Sequence, residues 1–121
     1  EIYLNYAEAV LRGGTGGDAA TALQLVNNLR KRGYTDDTAA TIIAGELTLN
    51  YILDERGREF FYEAQRRTDL IRFGKLTGSS YLWPWKGNVA EGKSVAEHFN
   101  VFPIPADDMG ANENLKQNTG Y

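Results

Sequence analysis

Residues 1–33 read EIYLNYAEAVLRGGTGGDAATALQLVNNLRKRG, and this stretch decides the fold class. Tyr3, Tyr6, Ala7, Val10 and Leu11 keep the i, i+3, i+4, i+7, i+8 spacing of one apolar helix face, so a helix is already in progress at the start. A second stripe, Ala19, Ala22, Leu23, Val26 and Leu29, opens behind Asp18, whose carboxylate suits an N-cap. It closes on Arg30-Lys31-Arg32 and Gly33, where cations meet the negative end of the helix dipole and glycine permits the exit. The connection Gly13-Gly14-Thr15-Gly16-Gly17 is short and permissive, so the two helices form an antiparallel hairpin. Hairpins of this kind build tetratricopeptide-type arrays, although no second copy follows here.

Outward from the hairpin, residues 34–48 hold Asp36-Asp37, several threonines and the patch Ile42-Ile43, and leave a loop and an irregular short helix both open. Thr48 or Asn50 then caps a third helix, with Leu53, Gly57, Phe60, Phe61 and Ala64 as its expected buried stripe. Glu55, Arg58, Glu59, Tyr62 and Arg66 take the opposite face. Gly57 costs about 1 kcal/mol relative to alanine inside a helix, which predicts that another backbone approaches closely there. A further short helix is expected around Asp69-Leu70-Ile71-Arg72-Phe73, ending at Gly74.

Helical periodicity stops after Lys75, and Thr77 to Trp85 is almost wholly threonine, glycine, serine, proline and aromatic residues. The reading is therefore all-α, helical over 1–74 and mostly ordered loop over 75–121. Phe102-Pro103-Ile104-Pro105 must be extended, because each proline fixes its own φ and pushes its predecessor out of the helical region. One helical turn is expected at Ala106 to Met109, and the asparagine-rich tail from Asn112 to Tyr121 reads as turn chemistry.

With 121 residues, the chain can bury roughly 65% of its unfolded surface around a modest core. A formal net charge of −3 supplies no basic field, which disfavours nucleic acid as a partner. The absence of cysteine removes disulfides, a thiol nucleophile, cysteine-held metals and a lipid acceptor within these residues. No apolar run reaches the length of a membrane-spanning helix. The first ten residues carry no initiator Met, basic leader or apolar leader, so the chain is expected to begin inside a longer protein.

The carboxylates Asp54, Glu55, Glu59 and Glu63 raise the possibility of a paired-acid glycosidase. They alternate with Arg56, Arg58, Arg66 and Arg67, and Asp54 to Arg58 and Glu63 to Arg67 have the favourable i, i+4 order of acid before base. A structural ion-pair helix is the expectation. His98 is the lone histidine, and Ser79, Ser80 and Ser94 lack a nucleophile-elbow context, so a packing histidine is expected and no catalytic residue or metal site is assigned. Tyr81-Leu82-Trp83-Pro84-Trp85-Lys86 is the most suggestive stretch. Its flat rings complement the C–H face of a pyranose, and Pro84 restrains the two tryptophans; the same rings also suit a plug that ties a loop to the helices. Tyr81, Trp83 and Trp85 are the candidate ligand-binding residues, with one tryptophan anchoring and the other partly exposed.

Taken together, these segments resemble the C-terminal part of the SusD/RagB family of outer-membrane nutrient-binding proteins of Bacteroidetes. The resemblance runs through Tyr6-Ala7-Glu8-Ala9 and Val26-Asn27-Asn28-Leu29-Arg30, then Leu47-Thr48 with Ile52-Leu53-Asp54-Glu55-Arg56, Arg58-Glu59 and Glu63. It continues in Arg66-Arg67 with Asp69-Leu70-Ile71-Arg72-Phe73-Gly74-Lys75, and closes on Phe102-Pro103-Ile104-Pro105, Asn112, Asn114-Leu115, Gln117-Asn118 and Gly120-Tyr121. Gly57, Thr68 and Thr119 depart from the usual pattern without removing a charged partner. The resemblance implies a fragment of a longer chain with tetratricopeptide-like helix pairs. It also implies non-catalytic capture of glycan at the cell surface and delivery to a TonB-dependent (SusC-like) outer-membrane transporter. No cofactor is implied, and membrane contact comes only through a lipid anchor outside these residues. A helical protein–protein adaptor with no sugar binding of its own is the alternative.

Overall fold

The computed structural model describes all residues from 1 to 121 and contains helices and loops but no strand. Its contacts gather into two compact units, Glu1–Arg66 and Arg67–Tyr121.

In the first unit, α1 (Ile2–Leu11) packs on α2 (Ala19–Lys31), and α4 (Leu49–Glu59) packs on α1. The Asp18 carboxylate caps α2, accepting from the Thr21 amide at 2.8 Å and the Thr21 hydroxyl at 2.7 Å. Those bonds hold its carboxyl below the ordinary aspartate range. The connection crosses Tyr6, whose hydroxyl accepts from the Asp18 amide at 3.1 Å. A Cβ on Gly17 would stand 2.7 Å from a Val10 methyl and 2.9 Å from the Tyr6 oxygen, so a side chain there would have to force the loop away. Leu4, Ala7, Ala22, Val26, Ile52 and Leu53 make the core. Full burial of each Leu, Ile or Val side chain contributes roughly 1.5–3 kcal/mol.

Residues 34–48 combine both readings left open by the sequence. A single turn, α3 (Asp37–Ala40), is capped by Asp36, which accepts from the Thr38 amide at 2.9 Å. Extended backbone follows, then a 3₁₀ turn at Ala44–Glu46. Asn27 of α2 holds the extended part with both ends of its amide, accepting from the Ile42 N–H at 2.9 Å and donating to the Ile42 carbonyl at 3.1 Å. Ala40, Ile42 and Leu47 are buried, whereas Ile43 faces out. Thr48 is the cap of α4, accepting from the Tyr51 amide at 3.1 Å.

The third helix is shorter than its periodicity predicts. It ends at Glu59, and Tyr62 (φ 65°) and Ala64 (φ 58°) turn the chain through the left-handed region. Three successive aromatics give α4 a weak continuation, since their side chains lose rotamer freedom against the preceding turn. Phe60 is buried, but Phe61 is 74% and Tyr62 93% exposed, and Ala64 is exposed too. The expected stripe therefore holds only through Phe60. The face opposite that stripe contains Glu55, which is 5% exposed.

The fourth expected helix is α5 (Arg66–Arg72), beginning earlier than Asp69. In the second unit Asp69 and Leu70 are buried, Asp69 pairs with Arg72 at 2.9 Å, and the Leu70 carbonyl accepts from the Lys75 and Leu76 amides at 2.7 and 3.1 Å. The remainder holds 3₁₀ turns at Lys86–Asn88 and Glu97–Asn100 and the short α6 (Ala106–Ala111). Side chains order this loop-rich portion. Arg67 donates to the Phe99 carbonyl at 2.5 Å and lies 4.1 Å from the Phe102 ring centre. Gln117 accepts from the Ile104 N–H and donates to its carbonyl, both at 2.8 Å. Asn118 donates to the Phe102 carbonyl at 2.8 Å, and the Tyr121 hydroxyl to that of Val101 at 2.9 Å. His98 lies against Phe99 at a tilt and meets Tyr121 edge to face, with ring centres 4.3 and 4.8 Å away.

Candidate functional site

The charged residues of α4 are arranged differently from the expected i, i+4 pairs. Arg58 donates to Glu55, at 2.6 and 3.0 Å, not to Asp54. Asp54 instead lies 3.9 Å from Arg66, and Glu59 pairs with Arg32, the residue that caps the end of α2. Glu63 lies in the exposed turn after α4, and Arg66 and Arg67 open α5, so the seven charged residues do not share one helix. The break at Phe60 to Ala64 is the reason, because it resets the angular register that the i, i+4 count assumed.

Arg30 is the hub that sequence reading missed. Its guanidinium donates to Glu55 at 3.0 Å and to the Ala40 and Ala39 carbonyls at 2.7 and 3.2 Å. It also faces the Tyr34 and Tyr51 rings at 4.9 and 5.7 Å. Burial opposes its charge, yet Tyr51 and Glu55 outweigh that and leave its pKa above the ordinary value. Burial, helped by the Glu55 charge, raises the Tyr51 phenol, whose hydroxyl is buried without a hydrogen-bond partner. In sequence, Arg30 is one of three consecutive cations at a helix end, which hides it among ordinary dipole partners.

Beside this network lies an open cavity of about 630 Å³, walled by Asp54, Gly57, Phe60, Phe61, Tyr62 and Arg66. Phe61 and Tyr62 meet edge to face at 4.7 Å. Gly57 admits a guanidinium, not the backbone its position suggests: a Cβ there would stand 2.9 Å from Arg66, which donates to the Leu53 carbonyl at 2.6 Å.

The aromatic loop belongs to the second unit. Tyr81 and Trp83 are half-buried, with ring centres 5.9 Å apart. Trp85 is 68% exposed and sits at φ 67°, ψ 6°. The left-handed conformation costs an L-residue about 1–2 kcal/mol, and such strain persists only where the surroundings impose it. Here the main chain closes a tight loop: the Lys86 amide donates to Trp83 at 3.0 Å, Asn88 to Trp85 at 3.1 Å, Trp85 to Ala90 at 3.3 Å and Lys93 to Lys86 at 3.0 Å. Gly92, at φ 78°, presses so closely that a Cβ would stand 2.4 Å from the Trp83 carbonyl oxygen. The result is a rigid step with one indole packed and one presented to solvent.

Comparison with known proteins gives this geometry a setting. The model of the SusD family matches residues 1–121. The chain belongs to the SusD family. It is 45% identical over its full length to the starch-binding protein SusD of Bacteroides thetaiotaomicron, of which it covers 20%. A crystal structure of a SusD superfamily protein from Bacteroides vulgatus superposes with a TM-score of 0.69 at 32% identity, over 99% of this chain and 26% of that one. This SusD-family chain thus spans about a fifth of the curated relative and a quarter of the solved one. The all-α class expected from the sequence stands, with helices and no strand.

Proposed function

We propose that this chain is part of a non-catalytic glycan-capture protein of the outer-membrane surface, and that Tyr81, Trp83 and Trp85 contact the sugar. The observation that carries the reading is Trp85, held outward on strained backbone beside the packed Tyr81–Trp83 pair. Strain of this kind is maintained by its surroundings and concentrates at sites that bind. An indole face matches the C–H face of a pyranose, and a loop fixed beforehand loses little entropy on binding. Membership of a family whose curated relative is named as starch-binding makes an α-glucan the first ligand to try.

In this reading Asp54, Glu55, Arg58, Glu59, Glu63, Arg66 and Arg67 hold the fold and take no part in bond breaking. Ligand is released by equilibrium dissociation to a TonB-dependent outer-membrane transporter, and a lipid anchor outside these residues supplies the membrane contact.

The test uses the intact protein on an oligosaccharide array, followed by titration with maltoheptaose. Trp85→Ala is expected to weaken binding about tenfold or more while leaving the melting temperature nearly unchanged. Trp83→Ala is expected to lower both. If both variants bind as wild type while folded, the site lies elsewhere. Failure to bind any glycan, together with specific capture of a protein partner, would favour the helical adaptor instead.

A further inference from the structure

Lys86 is the buried cation that the proposed function leaves unused. The residue is 2% exposed, and its acceptors are all main-chain carbonyls: Tyr81 at 2.7 Å, Lys75 at 3.3 Å and Gly78 at 3.4 Å. On the way its ammonium passes 4.6 Å from the Trp83 ring centre. No carboxylate shares this position, so the charge is balanced by carbonyl dipoles and the π face alone. Burial draws the ammonium below the ordinary lysine range, meaning that the surroundings must stabilise a group that would otherwise be hydrated.

The geometry points to Lys86 as the positioning residue of the aromatic platform, fastening the Trp83–Asn88 step to the Lys75–Tyr81 segment so that Tyr81, Trp83 and Trp85 keep one arrangement. Three placements carry this. Lys86 follows Trp85 directly, so fixing its side chain fixes the left-handed residue before it. Its shortest bond is to the carbonyl of Tyr81, the other flank of the platform. Its ammonium lies over Trp83, which stands between them in the sequence. Being buried, Lys86 has no route to a sugar hydroxyl and acts through the rings. Its effect is preorganisation: a cation–π contact and three carbonyl bonds exist before ligand arrives, so the rings need not be ordered by binding.

The inference rests on the platform reading above, and the experiment separates the two. In the intact protein, maltoheptaose affinity is measured well below the melting temperature for wild type, Lys86→Met, Trp85→Ala and the double variant. Lys86→Met keeps an unbranched apolar stem one atom shorter and removes the charge and the donors. It is expected to weaken binding about tenfold, and by clearly less than that in the Trp85→Ala background, because part of its influence passes through that ring. A role confined to folding would lower the melting temperature of Lys86→Met and leave its affinity at the wild-type value, which would overturn the inference. Additive losses in the double variant would overturn it as well. Should Lys86→Met not fold, Lys86→Gln, which keeps two donors but no charge, carries the same cycle. If Trp83→Ala and Trp85→Ala both bind as wild type, the platform reading itself falls and takes the inference with it. Loss in the tryptophan variants with none in Lys86→Met removes only the role of Lys86.

Discussion

Glu55 and Glu59 sit one turn apart on α4, and their surroundings assign them opposite weights. Glu55 is buried between Arg30 and Arg58, and the Arg30 side chain is itself only 9% exposed. Removing the carboxylate charge leaves a guanidinium in a dry site, so Glu55→Gln should destabilise the protein by about 3 kcal/mol in chemical denaturation. Glu59 meets Arg32 near solvent, and Glu59→Gln should cost less than about 1 kcal/mol and leave glycan affinity unchanged. A larger penalty at Glu59 than at Glu55 would contradict this ordering. Asp18 gives a pH-dependent test. Its folded pKa lies below the unfolded value of 3.8, so its stabilising effect is complete above 3.8 and is lost as pH falls through the depressed folded value. Asp18→Ala should therefore melt lower than wild type at pH 7, with the gap narrowing as the pH is taken progressively below 3.8. The sequence showed the Asp18 cap because a cap is a local rule. It did not show the Arg30 hub, which depends on carbonyls and rings brought in from α3 and α4.

Among the elements, α1 and α2 were legible because their stripes span two or more turns and end in unambiguous glycines. The end of α4 was not, since Phe60, Phe61 and Ala64 fit the helical count whether the helix continues or stops. What stops it is backbone geometry at Tyr62 and Ala64, non-glycine residues that carry no left-handed signature. The aromatic loop was recognisable by composition, and the sequence asked for one packed and one exposed tryptophan without saying which. That choice depends on the left-handed Trp85 and the close passage of Gly92. Gly92→Ala places a methyl against the Trp83 carbonyl and forces an L-residue to φ 78°. It should cost more than about 2 kcal/mol locally and speed hydrogen exchange in a peptide covering residues 83–93, while peptides from α1 and α2 stay protected. Unchanged exchange in that loop would show that it is held by something other than this close packing.

At the scale of the whole chain, the family was legible because many weak motifs occur in one order, whereas the ligand was not, because the order of motifs does not record where side chains are placed. The surface also carries many apolar side chains: Ile2, Ile43, Phe61, Tyr62, Trp85 and Phe102 are each at least two-thirds exposed. A polypeptide of these 121 residues alone should bind a hydrophobic dye and self-associate with rising concentration, as seen by sedimentation. A monomer at high concentration with no dye binding would show that these side chains are too scattered to form a continuous patch. The amide clamps on Ile42 and Ile104 bear on what such association can become. Ile42 stands between extended residues and Ile104 between two prolines, and in each the N–H and C=O are both taken by one amide, that of Asn27 or Gln117. These are the two bonds that a neighbouring strand would otherwise offer. With them filled from within, neither isoleucine offers a bare rung for another chain to zip onto, so templated strand addition should not start at either position.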